Sequence, residues 1–348
     1  MGSSQPDVTW AEQVKARLDQ WLADPDATDP TSQITGAGAV AVAERRFSQL
    51  HQGRPALMVS SGTAGMLAAL RSVEVGPGTE VLIPAVDWPG TMGVVQSLGA
   101  TPVVVPVEPE TLTMQATEAS LRTGNATAAA VVCHPLGIPV DIGAIRTAIG
   151  AVPIIEDCAQ ALGSTIDDTP VGCLGDLAVF SFGPGKPVDI GEGGMVLACD
   201  FGRWEAVLGQ AGHPVRQLIG GISEPCLTGF ACRPHPLAAV LLATALREWD
   251  PESLRQRHYQ AAEAIRGGRP EIEVLGVDQR RRNAASWLPV RLEHCSSLAP
   301  LPVVESGLFD IDSTLSQLAG IGVVPVASAI TWDVPGDHAP QFASALAE

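Results

Sequence analysis

Lysine is the residue type whose distribution in this sequence is most unusual. The chain has 348 residues and 21 basic side chains, yet Lys15 and Lys186 are its only lysines. Lys15 lies in a polar segment predicted to be helical, where it can be a solvated charge. Lys186 lies in the loop-like segment GPGKPVDIGEGG, where no helix face needs a cation. A lysine amine can attack a carbonyl carbon and a guanidinium cannot, so Lys186 is a candidate nucleophile.

An acidic pair ends the apolar run IIED. Burying a carboxylate is unfavourable unless the carboxylate meets a cation, and a protonated ring nitrogen is one such cation. Asp157 could hold that cation, or it could cap a helix. Glu156 would point to the opposite side of a strand, and spacing alone does not decide between the two acids.

A glycine turn that runs into a helix could bind a phosphate. In SSGTAG the backbone N–H groups of Thr63 and Ala64 would lie at a helix N-terminus, which favours anions. The alternative is a simple helix cap by Ser61 or Thr63. Ser181, in FSFGPGKP, could add a hydroxyl group to the same phosphate.

An aromatic residue, Trp88, lies two residues after the apolar run EVLIPAV. Its face could stack on a planar ring. The alternative is that it is buried and packs in the core, as many strand-end tryptophans do.

The elements that must position these residues are predicted from apolar runs alternating with helical patterns. Runs that are apolar on both faces and separated by helices are typical of a mostly parallel sheet covered on both sides. Polar groups at the carboxyl ends of such strands meet at one edge, where ligands bind. The strand-like runs are 56–60, 80–85, 101–107, 128–134, 152–158, 177–182 and 195–199.

We expect three parts in the chain: an N-terminal helical segment (1–34), a large domain (35–250) and a small C-terminal α+β domain (251–348). A helical stretch at 234–267 would link the domains, and Pro251 is expected to break it. We expect the N-terminal helix to join the small domain in space. The small domain has strand-like segments at 271–277 and 286–293 and a predicted helix at 311–320.

Composition restricts the function classes. The formal net charge of −17 disfavours nucleic acid and anionic membranes as partners. There is no apolar run long enough for a membrane span, and the first residues lack the pattern of a signal peptide. The seven cysteines contain no CxxC pair. We therefore expect a cytoplasmic protein with reduced cysteines and no metal site.

Taken together and in this order, the motifs resemble those of the DegT/DnrJ/EryC1/StrS family of pyridoxal-phosphate aminotransferases. The spacing from Asp157 to Gln160, Ser181 and Lys186 matches the family. The matching motifs are TG at 35–36, SSGTAG, GPGTEVLIPA, LGATPVVVPV, PLGIPVDIGAI, IIEDCAQALGS, VGCLGDLAVFSF and GEGGMV, which starts five residues after Lys186.

The resemblance implies an α/β fold of type I, similar to aspartate aminotransferase, with pyridoxal 5'-phosphate as cofactor. It implies that Lys186 forms the Schiff base and moves protons, and that Asp157 pairs with the pyridine nitrogen. Gln160 would lie near the ring hydroxyl and Trp88 would stack on the ring. The expected phosphate-binding residues are Gly62, Thr63, Ala64 and Ser181. Such enzymes are typically homodimers with shared active sites.

The sequence departs from the family on the substrate side. An asparagine and a tyrosine usual before Arg233 are replaced by Ala231 and Cys232, and the asparagine often reaches the neighbouring subunit's cofactor phosphate. Arg233 itself could bind an anionic substrate. His134 occupies the position of a family histidine and could contact substrate, or it could be a satisfied strand-end histidine. The segment after residue 336 lacks the usual aromatic-rich extension, which disfavours a nucleotide-bearing substrate.

The expected reaction is transamination from a glutamate- or glutamine-like donor to a keto-sugar, a cyclitol ketone or a related ketone of secondary metabolism. An elimination, decarboxylation or cyclisation with the same cofactor is the alternative, because the electron sink belongs to the cofactor. A non-catalytic scaffold subunit is a third hypothesis. A nicotinamide-binding sheet is disfavoured because no GxGxxG follows the first strand.

Overall fold

The computed structural model describes residues 9–23, 34–268, 273–276, 280–284, 287–291 and 321–325. The helices are α1 (Trp10–Leu22), α2 (Gly38–Leu50), α3 (Gly62–Ser72), α4 (Pro89–Ser97), α5 (Ala116–Arg122), α6 (Ile142–Ile149), α7 (Phe201–Ala211), α8 (Pro214–Ile219), α9 (Pro236–Ala245) and α10 (Pro251–Gly268). The strands are β1 (Ala56–Val59), β2 (Glu80–Pro84), β3 (Thr101–Val105), β4 (Thr127–Cys133), β5 (Ile154–Asp157), β6 (Thr165–Ile166), β7 (Thr169–Pro170), β8 (Leu177–Ser181), β9 (Gly194–Ala198), β10 (Glu273–Val274), β11 (Arg281–Arg282), β12 (Trp287–Arg291) and β13 (Ile321–Pro325).

The seven runs expected to be strands form one seven-stranded sheet, in the order β1-β9-β8-β5-β4-β2-β3. Neighbours from β8 to β3 are parallel, whereas β9 is antiparallel to both β8 and β1. The sheet is therefore mostly parallel, which confirms the predicted fold class.

Helices cover both faces of the sheet, which explains why its strands are apolar throughout. Along β1, Leu57 and Val59 belong to one apolar cluster, and Ala56 and Met58 belong to the cluster on the other face. Successive strand residues point to opposite faces, so a strand buried on both sides cannot alternate with polar residues.

Four strands deliver polar side chains to the same edge of the sheet. Asp157 ends β5 and is paired in register with Cys133, which ends β4. Ser181 ends β8, and Asp87 lies three residues after β2. The parallel arrangement brings these groups together although the sequence separates them widely.

Helix α1 packs against α2 and α9 of the predicted large domain, whereas the sequence suggested that it joins the small domain. Its residues Val14, Leu18 and Trp21 belong to an apolar cluster that includes α2 and α9. The physical reason is that these side chains form one apolar stripe of the helix, at a spacing of three to four residues.

Pro251 separates α9 from α10, as predicted, and it is the first residue of α10. A proline is well tolerated there because its missing N–H would have no partner within the helix. Beyond α10, β12 pairs antiparallel with β10 and β13, while β11 pairs with β6 of the hairpin β6–β7, which was not predicted. The helix predicted at 311–320 lies outside the described residues, and the proposed domain boundaries stay predictions.

None of the helices that the structure describes combines the length and the apolarity that crossing a membrane requires.

Candidate active site

A cavity of about 680 Å³ opens at the edge of the sheet where the parallel strands end. Its wall is built by the segments that follow β1, β2, β4, β5 and β8. Predicted site residues in the wall are Gly62, Thr63, Trp88, Asp157, Gln160, Ser181 and Lys186. The structure therefore brings together seven residues that span more than a third of the chain. Ala64, His134 and Arg233 are not among the lining residues.

Lys186 is half-buried in the cavity wall. Within the described part of the chain, its Nζ atom makes no hydrogen bond or ion pair, although its charge acts on Asp157. Lys15, by contrast, is exposed and its Nζ lies 2.6 Å from Asp19 Oδ2. Of the two lysines, only Lys186 offers an uncommitted amine to a ligand.

The loop that carries Lys186 is held at both ends by the fold. Gly185 has a φ of +74°, a left-handed conformation that glycine adopts without strain, immediately before the lysine. Asp189 accepts hydrogen bonds from the N–H groups of Gly185 (3.3 Å) and Gly191 (2.8 Å). Val188 and Ile190 are buried and anchor the loop in the core. These contacts position the lysine without using its side chain.

The structure resolves the choice between the two adjacent acids. Asp157 lines the cavity, and its Oδ1 accepts a 2.9 Å hydrogen bond from the N–H of Ala159. Burial raises the pKa of Asp157, while the Ala159 N–H and the charge of Lys186 act in the opposite direction. Glu156 does not line the cavity. Asp157 is thus the acid that a cationic group in the cavity would meet.

Glu156 instead forms the centre of a buried polar network. Its Oε2 lies 2.9 Å from His134 Nε2 and accepts the Gly172 N–H at 2.9 Å. Its Oε1 accepts the N–H groups of Leu174 at 2.8 Å and Gly175 at 2.5 Å. Burial alone would raise the pKa of Glu156, but these hydrogen bonds hold it below its ordinary value. The network ties the segment 172–175 to the end of β5.

His134 is part of this network and not of the cavity. It is fully buried, and its Nδ1 accepts a 3.0 Å hydrogen bond from the N–H of Val140 while Nε2 faces Glu156. Both ring nitrogens therefore have partners. The structure places His134 as a satisfied strand-end histidine, which was the alternative to a substrate contact, and this corrects the candidate assignment.

The N-terminus of α3 lies directly against Ser181 in the cavity wall. A Cβ atom added to Gly62 would lie 3.0 Å from the Cβ of Ser181, so only glycine allows this close approach without a shift. The Ser61 hydroxyl accepts the Ala64 N–H at 3.1 Å, which confirms the capping alternative for Ser61. Because that N–H is already used, the cavity-lining Thr63 is the better candidate for an anion contact than Ala64.

Trp88 and Gln160 line the cavity in different ways. Trp88 is 65% exposed, so the alternative of a buried packing tryptophan is wrong. It is the N-cap residue of α4, and its ring lies beside Gly90, which also lines the cavity. Gln160 is fixed by its Oε1, which accepts the Leu136 N–H at 2.8 Å. Among the residues that the structure describes, its amide nitrogen has no hydrogen-bond partner, so it could donate to a ligand oxygen.

Sequence reasoning missed a further acid in the wall, Asp87. It is 2% exposed, and its Oδ1 accepts the N–H of Trp88 at 2.7 Å. Burial, reinforced by the charge of Asp157, raises the pKa of Asp87 to about 8. The available signal was an acid at the end of an apolar run, the same signal that identified Asp157.

A model of the DegT/DnrJ/EryC1/StrS aminotransferase family matches residues 25–297 of the chain, which is well over half of its length. The chain belongs to this family. Its fold is accordingly that of the fold type I pyridoxal-phosphate transferases, as the sequence motifs predicted.

One curated relative and two solved structures illustrate what this chain is similar to. L-glutamine:2-deoxy-scyllo-inosose aminotransferase from Micromonospora echinospora is 35% identical over 192 residues, 51% of this chain. The match spans 46% of that relative, so the chain covers about half of its length. The aminotransferase TlmJ from Streptoalloteichus hindustanus is 26% identical, with a TM-score of 0.69 over 82% of this chain and 77% of its own.

A second solved structure matches the fold with higher coverage of both chains. It is 3-amino-5-hydroxybenzoic acid synthase, with 21% identity and a TM-score of 0.75, covering 100% of this chain and 99% of its own. At this identity the similarity concerns the fold alone.

The segment 231–233, which the sequence suggested differs from the usual family motif, contacts the residue that follows β1. The carbonyl of Cys232 accepts the Ser60 N–H at 2.8 Å, so the segment 231–233 runs next to the end of β1. Ala231 is exposed and Arg233 is half-buried. The structure therefore does not bring Arg233 into the cavity wall of a single chain, and a contact with an anionic substrate stays a prediction.

Proposed function

We propose that the protein is a pyridoxal-phosphate aminotransferase that transfers an amino group from a glutamate- or glutamine-like donor to a keto-sugar, a cyclitol ketone or a related ketone of secondary metabolism. The observation that carries the proposal is the uncommitted amine of Lys186 in the same cavity as the buried acid Asp157. A carbonyl-binding amine and a partner for a ring cation are the two groups that this cofactor requires.

The residues of the cavity fit the cofactor. The α3 N-terminus with Gly62 and Thr63 approaches Ser181, which suits a phosphate group. Asp157, in the same wall, would provide the carboxylate for the pyridine nitrogen. The glycine at position 62 supports this assignment, because a Cβ there would press on Ser181. The cavity volume of about 680 Å³ is also in the range of sites that hold a small-molecule ligand.

When bound, pyridoxal phosphate acts as an electron sink for the carbanion that forms next to the amino group. Lys186 would hold the cofactor's carbonyl carbon and, once released, move a proton within the cavity. Asp157 would keep the ring nitrogen protonated by charge pairing. Gln160 would donate its amide to the ring hydroxyl, and Trp88 would cover the ring and exclude water.

A small polyhydroxylated ketone without a nucleotide is the acceptor class we favour. The relative from Micromonospora echinospora is named for a cyclitol ketone of this kind. The altered residues Ala231 and Cys232, which stand where the family usually has an asparagine and a tyrosine, are consistent with an acceptor site that differs from that of nucleotide-sugar enzymes.

We also propose that the protein acts as a homodimer. Helix α8 and the segment after it expose large apolar side chains, which in water favours coverage by another protein surface. The exposed side chains are Val215, Leu218, Ile219, Leu227 and Phe230. Trp88, exposed at the cavity mouth, would be sheltered by the same partner. The six described cysteines are all free, which agrees with the expected cytoplasmic location.

The deciding experiment is a half-reaction followed by absorbance. Purified protein is loaded with pyridoxal phosphate and mixed with glutamine or glutamate, and conversion of the cofactor to pyridoxamine phosphate is recorded. The acceptor 2-deoxy-scyllo-inosose is then added, and the aminated product is measured by mass spectrometry. We expect both half-reactions to proceed in the wild-type chain.

Two lysine variants provide the matched comparison. Lys186→Arg keeps the charge but removes the nucleophile, so it should abolish covalent cofactor binding and lower the rate by ~1000-fold or more. Lys15→Arg changes the other lysine and should leave both readouts unchanged, because Lys15 is exposed and paired with Asp19. A wild-type protein that binds the cofactor but does not form pyridoxamine phosphate would refute transamination and favour another reaction type.

A further inference from the structure

Asp87 is a second carboxyl group in the cavity wall, and the proposed function gives it no role. It is 2% exposed, its Oδ1 accepts the Trp88 N–H, and its Oδ2 is buried without a hydrogen-bond partner within the described residues. A buried carboxylate oxygen without a donor is unfavourable unless the group is protonated or meets a ligand. Because Asp87 lines the cavity, a ligand could reach this oxygen.

The groups around Asp87 come from three strand ends and the Lys186 loop. Asp157 repels its negative charge, and the buried thiol of Cys133 stays neutral because burial, Asp87 and Asp157 raise its pKa. The Trp88 N–H, together with the nearby side chains of Thr91 and Cys133, opposes the effect of burial on the pKa of Asp87 without cancelling it. Lys186 and Glu192 line the same cavity, but neither is a main contributor to the titration of Asp87.

We propose that Asp87 holds a proton in the apoprotein and releases it when a cationic pyridine nitrogen binds at Asp157. The inference rests on the proposed function, since it assumes pyridoxal phosphate as the ligand. Asp87 is in this view a positioning residue, which acts on the ring nitrogen together with Asp157.

The proton balance follows from the charges. Without the cofactor, two neighbouring buried carboxyl groups carry one negative charge and one proton, because two charges would repel each other in a medium that screens poorly. A cation beside the pair stabilises the second negative charge, so the O–H bond of Asp87 breaks and the proton passes to the buffer. The ring nitrogen then has two negative neighbours and retains its own proton to higher pH.

The test measures protons released on cofactor binding. Pyridoxal phosphate is titrated calorimetrically into the full-length apoprotein at pH 7 in two buffers of different ionisation enthalpy. The proteins are the wild type, Asp87→Asn and the control Asp19→Asn, which removes an exposed acid. We expect the wild type and the control to release ~0.5–1 more protons per site than Asp87→Asn. Asp87→Ala is the second variant in case the amide is not accommodated.

Two further readouts separate a proton-holding residue from a structural one. The pH midpoint of the bound cofactor's absorbance change should fall by ~1 unit in Asp87→Asn, because one negative charge near the ring nitrogen is lost. The melting temperature of the wild-type apoprotein should decrease from pH 5 to pH 9. A carboxyl group whose pKa is raised on folding binds more protons when folded, and this effect should be weaker in Asp87→Asn.

The outcomes distinguish this inference from the proposed function. Cofactor binding with equal proton release and an unchanged absorbance midpoint in the wild type and in both Asp87 variants would overturn the role of Asp87 alone. Failure of the wild-type chain to bind pyridoxal phosphate would overturn the proposed function and this inference with it.

Discussion

The buried carboxylate of Glu156 offers the sharpest test of how the fold holds the site. The change Glu156→Gln keeps the size of the side chain but replaces one acceptor oxygen by an NH₂ group. Each carboxylate oxygen of Glu156 accepts two hydrogen bonds. Oε1 accepts from Leu174 and Gly175, and Oε2 accepts from His134 and Gly172. In either orientation of the amide, two N–H donors therefore face the new NH₂ group.

The magnitude follows from those lost bonds. Two hydrogen bonds to a charged group are removed, at ~1.5–3 kcal/mol each, and buried donors are left without acceptors. His134 cannot compensate by changing tautomer, because its Nδ1 must accept the Val140 N–H. We expect the free energy of unfolding to fall by ~3–5 kcal/mol, a large part of the stability of a typical domain.

The assay is urea unfolding of the apoprotein followed by tryptophan fluorescence at pH 7. The control is Glu118→Gln, which removes an i,i+4 pair with Arg122 on the surface and should change the free energy by less than ~0.5 kcal/mol. Since folding lowers the pKa of Glu156 from 4.5, its contribution is present above that pH and is lost as pH falls through the folded value. The difference between wild type and Glu156→Gln should therefore narrow in acid. A loss below ~1 kcal/mol at pH 7 would refute this account of the network.

Two further predictions concern the cavity wall. A Cβ at Gly194 would lie 2.5 Å from the backbone of Ser61, so Gly194→Ala should displace the start of α3. We expect cofactor binding to weaken by at least ~10-fold in a fluorescence titration and the melting temperature to fall. The control is Gly93→Ala, because Gly93 lies in α4 with open space around it. This change should leave cofactor affinity unchanged and stabilise the protein slightly. Equal effects of the two substitutions would contradict the packing argument. Trp88→Ala should weaken cofactor binding by ~1 kcal/mol. The melting temperature should change little, because the side chain is 65% exposed. A large drop in melting temperature with unchanged affinity would show that the ring packs against the protein and does not stack on the cofactor.

The sequence by itself predicted the sheet and indicated Lys186 as the candidate nucleophile. Strands such as β3 and β4 are largely apolar on both faces, so their pattern predicts a covered parallel sheet directly. Lys186 stands out because the rest of the chain uses arginine, apart from Lys15. Motif spacing then identified the family that the family model confirms.

Only the tertiary structure decided which polar groups face the cavity. Glu156 and Asp157 are neighbours in the chain, but successive side chains of a strand point to opposite faces. Glu156 therefore joins the network with His134, whereas Asp157 lines the cavity. Sequence reasoning missed Asp87 because its raised pKa depends partly on the charge of Asp157. The two residues are 70 positions apart in the chain, and they come close only when β2, β4 and β5 align in the sheet. Residue types and local periodicity can be read directly from the sequence. The electrostatic coupling of two carboxyl groups depends instead on the distance between them, which only the folded chain fixes.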